Sequence, residues 1–224
     1  MLAVVVVAVS PSKHNLAAQP ATGGVNTADS SVPSLDSLLA QLHEMPGLKA
    51  RFREEKRMAL LAKPLVSEGT LHFAPPAKLA RYTKYPVRSW LVIDEHRIGY
   101  GDELGGEQLN LDRNPAARLF VDSFMNILAG NRSALERIYD IDVTPRSDGA
   151  AGWQLVLVPL VAPLRDVIER VEVQGRASKL DGMRVVEVVG DETLTTFFEV
   201  DVQHRYRPDE LEKIFRLPNK RSRG

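Results

Sequence analysis

From Ser67 to Asp112, apolar and polar residues alternate in short runs: Ser67–Phe73, Leu79–Tyr85, Ser89–Ile93, Arg97–Asp102 and Glu107–Asp112. Turn signals separate them at Pro75-Pro76, Pro86, Asp94-Glu95 and Gly105-Gly106. Alternation of period two places every second side chain on one face of a strand. Gaps this short cannot hold a parallel crossover, so neighbouring runs must pair as antiparallel hairpins. The pattern begins at LKARFREEKR, where Leu48, Ala50 and Phe52 alternate with Lys49, Arg51 and Arg53. It resumes after Ile141 in IDVTPR, WQLVLVP, IERVEVQG, MRVVEVVG and TLTTFFEVDVQ, with turns expected at Ser147-Asp148-Gly149, Asp181-Gly182 and Gly190-Asp191.

Three segments carry a helical period instead. Ser34 is a natural N-cap for SLDSLLAQLHEM, in which Leu35, Leu38, Leu39 and Leu42 fall on one face before Pro46-Gly47 ends the helix. Asn114-Pro115 opens a second helix, AARLFVDSFMNILAG, with an apolar face of Leu119, Phe120, Phe124, Ile127 and Leu128 and a stop at Gly130. Ser133 with Glu136 reads as a capping box for a short third helix, SALERIY. About ten to eleven strands and three helices predict an α+β fold. A sheet of that width curls, so the helices belong on the concave side of one strongly curved antiparallel sheet.

The 224 residues suffice for one large domain, and 29 basic residues balance 29 acidic ones, which gives no reason to expect nucleic acid as a partner. The chain has no cysteine, which excludes thiolate metal sites, cysteine nucleophiles and disulfides. It also excludes the cysteine that anchors the lipid of an outer-membrane lipoprotein. The histidines, at positions 14, 43, 72, 96 and 204, form no H-E-x-x-H, and no serine sits in a G-x-S-x-G elbow, so a hydrolase of hydrophobic substrates lacks its vocabulary. Gly101 to Gly106 reads as a hairpin loop. Asp140 and Asp142 share a strand face but have no third ligand near them in sequence, so they read as a solvated strand end. No metal, cofactor or enzymatic activity is expected.

Residues 1–10, MLAVVVVAVS, have the length of a signal-peptide apolar region and are too short to span a bilayer, although Val4 to Val7 would also suit a strand. Residues 11–33 are rich in small and polar residues, Pro and Gly. The expected organisation is a signal peptide and flexible linker over 1–33, a domain over 34–218 and a basic tail over 219–224.

The stretch from Gly69 to Tyr82 (GTLHFAPPAKLARY) resembles the outer-membrane lipoprotein carrier family, the LolA-like proteins. Phe52 to Glu54 stands for the family's F-x-Q/E, and Gly69, Leu71 and Phe73 for G-x-L-x-F. Pro76, Leu79, Arg81 and Tyr82 follow P-x-x-L/F-R-W/Y, then come Pro86 and an Asp94 to Tyr100 turn and strand. The match in order and spacing runs from about Leu35 through the helix at Pro115. The resemblance implies a soluble, monomeric periplasmic carrier whose incomplete β-barrel holds acyl chains of lipoproteins, or of another lipid conjugate, in a concave apolar cavity under the helices. It further implies an inner-membrane extractor or exporter that loads the carrier and an outer-membrane receptor that unloads it. Many carriers place a latch arginine directly before the proline of the third element. Here that residue is Pro75, which has no donor, and the chain resembles a divergent branch.

The candidate cargo contacts are Leu71, Phe73, Tyr82, Trp90, Leu119, Phe120, Phe124, Met125, Phe198 and Val200. Each reads equally well as an ordinary core residue. In particular Leu71, Phe73 and Tyr82 are expected to face the concave interior. The alternative to a carrier is an interaction module of the same fold that senses lipid or envelope stress.

Overall fold

A computed structural model describes residues 32–217 other than Ser178. The apolar run of residues 1–10, the linker as far as residue 31 and the basic tail lie outside the described residues.

The described chain begins with α1 (Leu35–His43), whose N-cap Ser34 accepts from the Ser37 N–H at 3.2 Å. Six strands follow: β1 (Leu48–Arg57), β2 (Leu65–Ala74), β3 (Lys78–Tyr85), β4 (Ser89–Ile93), β5 (Arg97–Asp102) and β6 (Gly105–Asn110). A 3₁₀ turn at Leu111–Arg113 leads to α2 (Pro115–Leu128), capped by Asn114, and then to α3 (Arg132–Leu135). The cap of α3 is Asn131, which accepts from the Ala134 N–H, and not the expected Ser133. An asparagine one residue before the helix takes the free N–H groups first. The second half comprises β7 (Tyr139–Pro145), β8 (Trp153–Pro159), the short α4 (Leu164–Val167), β9 (Ile168–Arg176), β10 (Lys179–Glu187), β11 (Glu192–Asp201) and α5 (Pro208–Ile214).

All eleven strands form one antiparallel sheet in the order β6-β5-β4-β3-β2-β1-β11-β10-β9-β8-β7. Each half is a meander, and the pairing of β1 with β11 joins them. The sheet is not closed into a barrel: β6 and β7 are its edges. Ile98 on β5 and Leu157 on β8 stand eight positions apart in this order, which in a flat sheet is about 38 Å. Both belong to one buried cluster with Leu38 and Leu39 of α1 and Val121 and Met125 of α2, so the sheet curls around the helices. The expectation of a curved α+β sheet therefore stands, with five helices among the described residues and not three. The two additional ones are α4 and α5.

Two turns differ from their expected places. Asp181-Gly182 lies inside β10 as an irregularity in the pairing with β9, while the chain reverses near Ala177, which has φ 48°. Asp181 is held there by Arg146 and Arg176, so its polarity serves ion pairs and not a turn. Pro75-Pro76 does form the β2–β3 turn.

Candidate functional site

Strand parity divides the candidates between two faces. On the concave face Leu48 pairs with Phe73, Ala50 with Leu71 and Phe52 with Gly69. Leu71 and Phe73 are buried there, Phe73 completely. Gly69 is required by close approach: a Cβ at that position would lie 2.0 Å from the Tyr82 carbonyl and 2.9 Å from the Phe52 ring.

The helix α2 covers this face. Asn114 accepts from the Ala117 N–H at 3.0 Å, and Pro115 fills the first turn where no N–H is needed. Met125 is buried in the concave cluster, while Leu119, Phe120 and Phe124 pack against it and stay partly exposed. Polar ties hold the helix: Arg118 donates to the Glu95 carbonyl in the β4–β5 turn at 3.0 Å and to Asp112 at 3.2 Å, and Ser123 bonds the buried Tyr139 hydroxyl. The polar ties from α2 to the sheet thus start from Arg118 and Ser123, and Pro75 has no N–H to add one.

Toward the β1–β2 loop the concave face becomes polar. Arg81 donates to Glu54 at 2.8 Å and stacks over the Phe52 ring, 4.4 Å from its centroid. Ser67 and Thr195 also donate to the Glu54 carboxylate, and Lys56 donates to Glu187 at 2.7 Å. Glu54 and Glu187 are both buried. Glu54 and Arg81 are motif positions in the sequence, and only the strand register brings them together.

Tyr82 and Trp90 do not face the concave interior. Tyr82 pairs with Thr70 and Trp90, one step out of phase with Leu71 and Phe73, and both rings join a second cluster with Ala80, Val92 and Phe215 on the convex face. The Tyr82 hydroxyl donates to the Ile214 carbonyl at 2.6 Å. Trp90 lies against Gly101 and Gly106; a Cβ on Gly106 would come within 2.4 Å of the indole. Tyr82, Trp90, Lys84, Arg88, Asp102 and Glu103 border an open groove of about 520 Å³ on this side.

Phe198 is also convex and 45% exposed, whereas Phe197 and Val200 pack on the concave cluster. The reason is an irregularity in the β1–β11 register next to Glu199, whose φ is 51°. An extra residue resets the alternation, so residues three apart share a face. Strict alternation would put Phe198 and Val200 on one face, and this irregularity separates them.

His72 also faces outward and is buried at the centre of a small polar group. Its Nδ1 lies 3.1 Å from the Tyr206 hydroxyl, which donates to the Leu48 carbonyl at 2.8 Å. Burial first, then the charges of Lys49 and His204, lower the His72 pKa to about 4. Burial raises that of Tyr206. Among the described residues no group of three or more His, Asp or Glu is placed to hold a metal ion, and Asp140 and Asp142 are exposed strand residues. No helix among them is long and apolar enough to cross a membrane.

A family model described as outer membrane lipoprotein carrier protein LolA-like matches residues 27–200. No curated protein matches the chain. Among solved structures, a LolA superfamily protein from Nitrosomonas europaea is 7% identical over 80% of this chain and 97% of that one, with a TM-score of 0.44. The MucA/MucB complex of Pseudomonas aeruginosa is 13% identical over 80% of this chain and 60% of that one, TM-score 0.47. A putative outer membrane lipoprotein-sorting protein domain from Vibrio parahaemolyticus is 9% identical over 79% and 93%, TM-score 0.45. At these identities no residue role passes from those structures to this chain.

Proposed function

Because the chain belongs to the outer membrane lipoprotein carrier protein LolA-like family, we propose that it is a non-enzymatic periplasmic carrier. It binds the acyl chains of a lipoprotein or other lipid conjugate between α2 and the concave sheet, and moves them from the inner toward the outer membrane. An inner-membrane extractor or exporter supplies the cargo and an outer-membrane receptor accepts it. The observation that carries this reading is the apolar face of α2, where Leu119, Phe120 and Phe124 lie partly exposed against the concave cluster. Leu71, Phe73 and Val200 on the sheet form the floor that an acyl chain meets once the helix moves, and Met125 belongs to the moving helix.

The energetics favour a lid. An acyl methylene contributes about 0.8 kcal/mol when buried, so a sheltered sixteen-carbon chain contributes on the order of 12 kcal/mol. That exceeds the cost of a few polar ties such as Arg118 to Glu95, each about 1 kcal/mol. Cargo therefore opens the cover by replacing apolar contacts with its own.

Titration of the purified protein with a dansylated fatty acid tests this. Saturable binding is expected, and Phe124→Asp reduces the affinity at least tenfold with an unchanged far-UV circular dichroism spectrum. Protein from an envelope fraction that is rigorously empty by native mass spectrometry and has no affinity for the probe sinks the carrier reading. In that case the filled concave face, with Phe73, Leu155 and Leu157 wholly buried, favours the interaction module, and a stable complex with a membrane protein is the result to seek.

A further inference from the structure

The concave face changes character at one level across four neighbouring strands. On β1 the inward residues run Leu48, Ala50 and Phe52 and then Glu54 and Lys56. On β2 they run Phe73, Leu71 and Gly69 and then Ser67, and on β3 Leu79 and then Arg81. On β11 Val200 and Phe197 give way to Thr195 and Thr193. From Ala50 to Lys56 the strand rises about 20 Å, so a long apolar floor ends in a polar group.

That group is buried and its charges cancel. Glu54, Glu187, Thr193 and Thr195 are buried, and Arg81 and Lys56 keep only 17% of their side chains exposed. Arg81 donates to Glu54 at 2.8 Å and to the Ser67 hydroxyl at 3.1 Å, while Lys56 donates to Glu187 at 2.7 Å. Each cation already faces a carboxylate, so an ionised head entering here finds no free counter-charge to offset its loss of water. The spare capacity is in donors, because Lys56 and Arg81 carry more N–H groups than these bonds use.

One atom of the group is unmet. The Thr193 hydroxyl is buried without a hydrogen-bond partner, the sole side-chain atom of that kind among the described residues. It stands on the concave face between Lys56 of β1 and Val185 of β10, and Thr193 is 3% exposed. A buried hydroxyl without a partner costs stability, and a valine of the same shape would avoid that cost. A donor left open at the end of an apolar floor, in a group without net charge, fits a neutral acceptor. Ester and amide carbonyls have that chemistry, and an ionised carboxylate does not.

We propose that the Thr193 hydroxyl donates to the carbonyl of the ester or amide that joins an acyl chain to the rest of its conjugate. The cargo is then an acyl ester or amide and not a free fatty acid. Lys56, the flexible side chain beside Thr193, turns to admit the linkage. This subsite rests on the carrier reading above, which leaves the head of the cargo unassigned.

Displacement of the dansylated fatty acid from the full chain by 1-monopalmitoylglycerol, palmitoylethanolamide and palmitate tests the proposal. These are an ester, an amide and an ionised acid with the same acyl chain. One or both neutral ligands are expected to bind at least fivefold more tightly than palmitate, and the tighter of the two names the linkage. Thr193→Val lowers the affinity for the preferred ligand about fivefold, the effect of one lost hydrogen bond. The same variant raises the melting temperature of the ligand-free protein, because a buried hydroxyl without a partner is gone. Thr196→Val, exposed on the outward face of the same strand, changes neither quantity. Palmitate bound as tightly as the neutral ligands, an unchanged preference in Thr193→Val, or a lower melting temperature in that variant overturns the subsite. If the dansylated probe and all three ligands fail to bind, the carrier reading falls and the subsite with it. If they bind without the preference, the subsite alone falls.

Discussion

Glu54 and Arg81 are a charged pair set into an otherwise apolar wall, with the guanidinium over the Phe52 ring and only 9% and 17% of the two side chains exposed. Two charges out of water are tolerated because each satisfies the other and Ser67 and Thr195 complete the carboxylate. Removing one partner strands its mate. Glu54→Ala is therefore expected to cost about 3–5 kcal/mol in urea unfolding, whereas the double variant Glu54→Leu, Arg81→Met recovers most of that loss. A double variant as unstable as the single one contradicts the stranded-charge account. Period-two alternation did show that Phe52 and Glu54 share a face, as do Leu71 and Phe73, but not that Arg81 reaches Glu54. That contact joins residues 27 apart through the register of three strands, which no local pattern encodes. Tyr82 failed for a related reason. Its aromatic character favoured an interior site, and the convex face offers one because a helix covers it.

The covering helix is α5, an element with legible signals: Pro208 in the first turn, Asp209 and Glu210 after it and Lys213 in the last turn. It is short and has no fully buried residue, so periodicity alone does not single it out. Its docking is tertiary. Phe215 packs on Ala74, Ala80 and Val92, the Ile214 carbonyl accepts from Tyr82, and Tyr206 bonds Leu48 and meets His72. By contrast α1 and α2 were readable in full, because cap, period and stop agree in each. The α5 strap should respond to acid through His72, which Lys49 and His204 face and toward which Glu210 exerts a weaker opposing pull. The folded protein holds this imidazole neutral down to about pH 4, while the unfolded chain takes up a proton near pH 6.5. Stability therefore falls as pH drops from 6.5 to 4, by about 3 kcal/mol at most, and this contribution levels off below. His72→Gln, which keeps a donor for Tyr206 without titrating, should lose that much less across the window in urea titrations. An identical loss in both proteins assigns the acid sensitivity elsewhere.

At the scale of the whole molecule the two meanders, β1 to β6 and β7 to β11, touch through one ladder, β1 with β11, and through the helices laid across both. Sheet pairing alone would allow the halves to separate, since neither edge strand pairs with the other. The concave core opposes this. Ile98 and Leu79 from one half and Trp153, Leu155 and Leu157 from the other share a single buried cluster with α1 and α2. Exposing either half uncovers the same helix surfaces, so the apolar burial is lost together and unfolding is cooperative. The chain has two tryptophans, and each reports on one half: Trp90 under the convex strap and Trp153 in the concave core, where its indole donates to the Ala177 carbonyl at 2.8 Å. In Trp90→Phe and in Trp153→Phe the remaining fluorophore should lose its native signal at the same urea concentration as the far-UV circular dichroism of that variant. A Trp90 transition well ahead of the circular dichroism at pH 7 would mean that the first half opens alone, and would make the β1–β11 ladder, not α2, the hinge through which the concave face is exposed.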